Sequence, residues 1–162
     1  MAEIQITEGR LFKGLCSHDL IGEKVVRRGK IVRGDITPND LRQRNIIVTL
    51  GTGIAPFIWM LDRHCSEQKR FLLIYCNSYK DELFHKSLLP QKTEKEEFFD
   101  ECISCTREGG PKLVDLVYEK SQMIKETIEA VGIKNSRVFF CGPKQLQSFL
   151  AQTIGKILEM TV

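Results

Sequence analysis

From residue 45 to its C-terminus, this chain alternates four times between a short apolar run and a segment of helical period, and that rhythm leaves few folds open. Asn45-Ile46-Ile47-Val48-Thr49-Leu50 is almost continuously apolar, as a strand buried on both faces of a parallel sheet must be. Gly51-Thr52-Gly53 follows, and then Ile54, Phe57, Ile58 and Leu61 recur at helical spacing as far as Cys65. The same reasoning predicts a strand over Phe71–Tyr75, a helix over Lys80–Leu89 and a strand over Phe98–Thr106. Helical stretches from Lys112 to Val131, a strand over Arg137–Cys141 and a helix over Lys144–Met160 complete the series. The order βαβαβαβα implies an α/β fold: a parallel sheet with helices on both faces and right-handed crossovers.

The first 44 residues read differently. Glu3–Thr7 alternates, Gly14-Leu15-Cys16-Ser17 suggests a turn into a short helix, and Lys24–Val32 reads as a strand before the turn Asp35–Asp40. These are parts of a β-structure, and isolated hairpins are marginal in water, so they must lie against the following domain or against something not in the chain. The charged run Gln91–Glu97 reads as a solvated helix end or loop.

Length and charge narrow the function. One core fits 162 residues. With 24 basic against 21 acidic side chains, the net charge of +3 is too mild for a dedicated nucleic-acid binder, so any anion must be held locally. No apolar run reaches the roughly 18 to 20 residues of a membrane span, and the N-terminal MAEIQITEGR lacks the apolar stretch of a signal peptide. A cytoplasmic protein, or an internal segment of a longer chain, is the expectation.

Six cysteines (Cys16, Cys65, Cys76, Cys102, Cys105 and Cys141) lie in apolar contexts, the pattern of reduced core thiols. Cys102-Ile-Ser-Cys105 has C-x-x-C spacing, but a structural zinc site needs four ligands, and His18, His64 and His85 stand at no matching distance. A redox pair of this spacing opens a helix, whereas this one lies in a predicted strand. No metal site is expected.

Three loops beyond the carboxyl ends of the predicted strands, where open parallel sheets bind ligands, carry informative residues. Leu50-Gly51-Thr52-Gly53-Ile54-Ala55-Pro56-Phe57 joins a buried strand to a helix through a tight turn, and Pro56 falls where its missing N–H costs little. Glycines admit a ligand close to the backbone, and the unpaired amides of a helix start favour phosphate. The turn is not a G-x-G-x-x-G fingerprint, because Pro56 stands three residues beyond Gly53. In Ser104-Cys105-Thr106-Arg107-Glu108-Gly109-Gly110, a hydroxyl beside a guanidinium forms a compact receptor for a phosphate monoester or else a surface loop. In Phe139-Phe140-Cys141-Gly142-Pro143-Lys144, Cys141 is either core or a small side chain beside a ligand's reactive ring.

In order and spacing, GTGIAPF, then TRE, then CGP resemble the NADP-binding half of the ferredoxin–NADP reductase family, which includes the diflavin cytochrome reductases and the sulfite reductase flavoprotein. The resemblance runs from about Gly14 to Met160 and implies a Rossmann-like sheet over 45–162 binding NADP(H), preceded over 1–44 by the C-terminal remnant of an FAD-binding barrel. It implies that Gly51, Thr52, Gly53, Ala55 and Pro56 lie against the pyrophosphate and nicotinamide ribose. Thr106 and Arg107 stand where a Ser-Arg pair holds the 2′-phosphate, with Lys112 near a helping basic residue. Cys141 and Gly142 stand where nicotinamide packs against flavin for hydride transfer, which makes Cys141 the catalytic candidate. Tyr79-Lys80-Asp81-Glu82-Leu83-Phe84 is similar to the second-strand loop, and Gly14-Leu15-Cys16-Ser17 resembles the G-x-C-S turn in which Cys16 and Ser17 meet the FAD pyrophosphate.

Three departures qualify what is implied. The flavin-stacking R-x-Y-S motif has no counterpart in the 13 residues before Gly14, so FAD is expected to bind weakly or only with a barrel portion supplied in cis or in trans. Leu113 and Val114 occupy the region of the adenine-stacking aromatic, and no terminal strand ends in an aromatic, the chain stopping at Met160-Thr161-Val162. Trp59 and Tyr118 are the large aromatics left in this region, and each reads as packing. The implied function is hydride transfer from NADPH to FAD, with electrons passing to a ferredoxin, flavodoxin or haem protein. The alternative is a truncated, non-catalytic nucleotide-binding or regulatory domain of the same fold.

Overall fold

The computed structural model describes residues 4–6, 26–27, 30–31, 38–83, 85–88 and 98–159. Its strands are β1 (Ile4–Ile6), β2 (Val26–Arg27), β3 (Lys30–Ile31), β4 (Arg44–Leu50), β5 (Arg70–Asn77), β6 (Phe99–Cys105) and β7 (Ser136–Cys141). Its α-helices are α1 (Ala55–His64), α2 (His85–Leu88), α3 (Leu113–Glu119), α4 (Ser121–Glu129) and α5 (Lys144–Glu159). Five strands form one sheet in the order β1-β7-β4-β5-β6, and each of its pairings is parallel. The chain therefore steps outward from β4 to β5 to β6 and then returns to β7 on the other side of β4. That reversal puts the topological switch point between β4 and β7, where an open α/β sheet leaves a crevice at its carboxyl edge.

The apolar runs become strands because both faces are covered. Ile46 and Val48 of β4 pack with Leu72, Ile74, Val138 and Phe140 against Leu116, Val117, Ile124, Leu150 and Ile154 of α3, α4 and α5. The intervening Ile47 packs with Leu73, Tyr75 and Phe139 against Phe57, Met60 and Leu61 of α1. With period two, successive residues serve opposite layers, and each fully buried Leu, Ile or Phe contributes about 1.5–3 kcal/mol.

This period also decides the C-x-x-C question. Cys102 belongs to the α3–α5 layer, with its Sγ 3.6 Å from the Met123 sulfur, whereas Cys105 packs with the α1 layer. Residues three apart on a strand face opposite ways, so the two thiols cannot act as a pair.

The predicted helix over Lys80–Leu89 is replaced by a 3₁₀ turn at Lys80–Glu82 and the single turn α2. The backbone groups that would carry a helix here are bonded elsewhere. The Lys80 N–H donates to the Glu108 carboxylate at 2.8 Å, Asn77 Nδ2 donates to the Glu82 carbonyl at 2.8 Å, and Leu83 leaves helical geometry at ψ 71°. The stretch from Lys112 divides into α3 and α4 at Lys120, whose ψ of 13° breaks the ladder.

Ile4–Ile6 extends the sheet as an edge strand in register with Val138–Phe140 of β7, and β2 and β3 form a separate antiparallel pair. The Gly14–Leu20 turn with Cys16 and Ser17, most of the expected barrel remnant and the Gln91–Glu97 run lie outside the described residues. No described helix is long and apolar enough to cross a membrane.

Candidate functional site

At the carboxyl edge of the sheet, the ends of β4, β5 and β6 and the start of α5 enclose a cavity of about 680 Å³, a size typical of ligand pockets. Leu50, Gly51, Cys76, Asn77, Ser78 and Thr106 line its sheet side. Lys112, Leu113, Val114 and Asp115 come from the start of α3, and Gln145, Leu146 and Phe149 from α5.

One wall of the cavity is a turn fixed by buried hydrogen bonds. Gly51 adopts φ +51°, a left-handed conformation that favours glycine. Its carbonyl accepts a 3.0 Å hydrogen bond from the hydroxyl of fully buried Tyr75, which in turn accepts one of 3.1 Å from Asn77 Nδ2. Burial, aided by the nearby Glu82 carboxylate, pushes the Tyr75 hydroxyl up to about 12, so it remains a donor over the whole working pH range. Gly53 is needed for a different reason: a Cβ there would lie 2.6 Å from the Cys141 carbonyl oxygen and 2.7 Å from Thr49 Oγ1. Thr49 donates to that same carbonyl at 3.0 Å, tying the end of β4 to the end of β7. Ala55 opens α1 with Pro56 behind it, as the sequence implied.

The other polar wall is stitched loop to loop. Thr106 Oγ1 donates to the Asn77 carbonyl at 3.3 Å, and the Arg107 N–H donates to the Ser78 carbonyl at 3.0 Å. Thr106 and Arg107 open a 3₁₀ turn that closes at Gly109 with φ +87°. The Arg107 side chain is exposed beside the cavity, and Lys112 lies within its lining.

Not every residue expected at the site reaches the cavity. Gly51, Thr106 and Lys112 line it; Thr52 and Ala55 are exposed at the turn; Gly53 is buried beneath it. Cys141 is 1% exposed and packs in the α1 layer, so it does not line the cavity. Gly142 sits where a Cβ would meet the side chains of Leu50 and Phe140 at 2.7 Å, so this glycine is what allows β7 to end against the cavity wall. Asn77, Ser78, Gln145 and Phe149 were not anticipated. The first two could have been found as the residues that follow an apolar strand at its carboxyl end. Among the described residues, no three His, Cys, Asp or Glu side chains stand together as a metal site.

Residues 47–152 match the family of oxidoreductase NAD-binding domains. The chain belongs to that family. Its fold is similar to the ferredoxin-NADP+ reductase from Plasmodium falciparum solved with 2′P-AMP, with a TM-score of 0.56 at 12% sequence identity. The similarity covers 70% of this chain and 48% of that one, so this chain spans about half of the reductase it resembles. No curated protein matches by sequence. This NAD-binding domain therefore has the Rossmann-like architecture of the ferredoxin–NADP reductases, with its cavity at the edge where such sheets bind nucleotides.

Proposed function

We propose that this domain binds NADP(H) as the nucleotide half of a flavin-dependent reductase. The observation that carries the proposal is the cavity at the carboxyl edge of the sheet, where a left-handed glycine turn adjoins hydroxyl, amide and lysine side chains. The residues present fit a dinucleotide. Gly51 brings bare backbone to the lining, Lys112 supplies a cation and Ser78 a hydroxyl, while both amide hydrogens of Asn77 stay committed to Tyr75 and Glu82. Thr106 and the exposed guanidinium of Arg107 hold the 2′-phosphate. The Thr106 hydroxyl must give up its long 3.3 Å bond to Asn77 in order to donate to that phosphate. Lys112 reinforces the charge, and Gly51 to Pro56 lie along the pyrophosphate and nicotinamide ribose.

A bound nicotinamide would supply hydride chemistry toward a partner flavin, the source of electrons for an acceptor. For its part, the chain orients the ring: Gly142 keeps the end of β7 narrow, and Cys141 fixes the strand on which that glycine stands. FAD would be held by a flavin barrel, for which the segment before β4 is the candidate tail apart from Ile4–Ile6, the strand that joins the nucleotide-binding sheet. The rest of the barrel comes in cis or in trans, and a ferredoxin, flavodoxin or haem protein receives the electrons.

Calorimetric titration of the purified chain with NADPH, NADH and 2′-phospho-AMP tests the binding step. Saturable binding of NADPH and 2′-phospho-AMP is expected, and failure of all three to bind would falsify the reading. NADPH binding without dye reduction, even with added FAD and a barrel fragment, would favour a non-catalytic nucleotide-binding domain.

A further inference from the structure

Phe149 is an aromatic side chain in an unusual position. It lies on α5, is 51% exposed, and lines the cavity, unlike the other large exposed hydrophobic side chains, Tyr79, Tyr118, Met123 and Ile133. Leu146, Leu113 and Val114 give the lining an apolar part, among Asp115 and Gln145, whereas the sheet side offers Asn77, Ser78 and Thr106 and the start of α3 the cation of Lys112. A ligand that satisfies both parts needs a flat apolar body joined to a polar, anionic portion. A nucleobase carrying phosphates has this form, and nucleobases stack on aromatic faces whatever their sequence.

We propose that Phe149 is the platform on which the adenine base of the dinucleotide stacks, with Val114 and Leu146 as its apolar surround. This rests on reading the cavity as the nucleotide site. Its consequence is a division of labour: α5 grips the base, common to every adenine nucleotide, while the Thr106 loop judges the 2′-position. The Phe149 side chain is separable from the fold, because its carbonyl, not its ring, accepts the Thr153 hydroxyl at 2.9 Å inside the helix.

Titrations of the full chain and of Phe149→Ala with AMP, NADH, NADPH and nicotinamide mononucleotide test it. The variant should bind AMP, NADH and NADPH about 5- to 100-fold more weakly, by one common factor. Nicotinamide mononucleotide, which lacks adenine, should bind both proteins alike. Phe149→Tyr should stay close to the parent, and Phe149→Trp should gain a fluorescence component that AMP quenches. Parental AMP affinity in Phe149→Ala, or a loss shared by nicotinamide mononucleotide, overturns the platform and leaves the nucleotide site standing. If the unaltered chain binds none of the adenine nucleotides, the site itself is wrong and the platform falls with it.

Discussion

The two polar walls of the cavity are built on opposite principles. On the β4 side, the glycine turn is held from beneath by fully buried Tyr75 on the Gly51 carbonyl and Thr49 on the Cys141 carbonyl behind Gly53, with Asn77, at the cavity lining, on Tyr75. On the β6 side, Arg107 and Lys112 are exposed, and the Thr106 hydroxyl is spent on a long bond to a neighbouring loop. A buried network costs free energy whenever any member is left unpaired, so it fixes one geometry. An exposed cation costs little to reposition and can be exchanged without disturbing the core. The arrangement suits a dinucleotide, whose pyrophosphate is common to NADH and NADPH and whose 2′-position is not.

This contrast predicts that damage to the first wall is structural and damage to the second is selective. The largest effect is expected at Gly53. In Gly53→Ala the methyl group meets a backbone carbonyl at 2.6 Å and Thr49 at 2.7 Å, neither of which is a flexible side-chain end. Separating β4 from β7 far enough to admit it should cost about 1–3 kcal/mol or more. The urea midpoint should fall accordingly, and binding of every nucleotide should fall with it. An unchanged midpoint would show that the two strand ends can part freely.

Next in size is Arg107→Ala, which should leave the urea midpoint unchanged while weakening NADPH and 2′-phospho-AMP about 10- to 100-fold, the range for losing a charge-assisted hydrogen bond. NADH and AMP should bind as before. Equal losses for NADPH and NADH would remove Arg107 from the 2′-phosphate and leave Lys112, inside the lining, as its holder.

Tyr75→Phe lies between these cases, because it leaves the ring packing intact while removing the donor to Gly51 and the acceptor for Asn77. About 0.5–1.5 kcal/mol of stability should be lost. If the hydroxyl positions the turn, NADPH and NADH affinities should fall together, several-fold. A stability loss without any change in affinity would make Tyr75 a core residue only.

The difference between the walls was only partly legible in the sequence. The strands could be read because a run such as Ile46-Ile47-Val48 can be buried on both faces only in a covered parallel sheet. The GTG turn and TRE loop stood out because glycine and arginine at strand ends have few structural uses. Tyr75, Asn77 and Phe149 did not, since each is ordinary in composition and acquires its role from neighbours distant in sequence. Tyr75 reaches a carbonyl 24 residues away, and Phe149 faces the cavity only because Leu150 and Ile154 turn the other side of α5 into the core. Nor could the alternation at Ile4–Ile6 name β7 as its partner, because a three-residue strand carries no information about the edge it joins.

The smallest predicted effect concerns the layer behind the firm wall. The buried His85 ring stands edge-on to Tyr75 at 5.3 Å, and its Nε2 lies 3.1 Å from Glu101 Oε2. The bond to His85 and, after the opposing effect of burial, the charge of Lys86 hold the Glu101 carboxyl below its ordinary 4.5. A carboxylate whose folded-state pKa is depressed adds stability above its unfolded-state value, and that contribution is lost as pH falls through the folded one. The parent should therefore be more stable than Glu101→Gln near neutrality, with the difference closing below the ordinary carboxylate range. Because Glu101 is 35% exposed, solvent screening keeps the difference to a fraction of a kcal/mol. Thermal unfolding of both proteins across the acid limb measures it. A gap that persisted undiminished in acid would assign the effect to packing against His85 and not to the carboxylate charge, and it would leave the rigidity of the Tyr75 wall independent of pH.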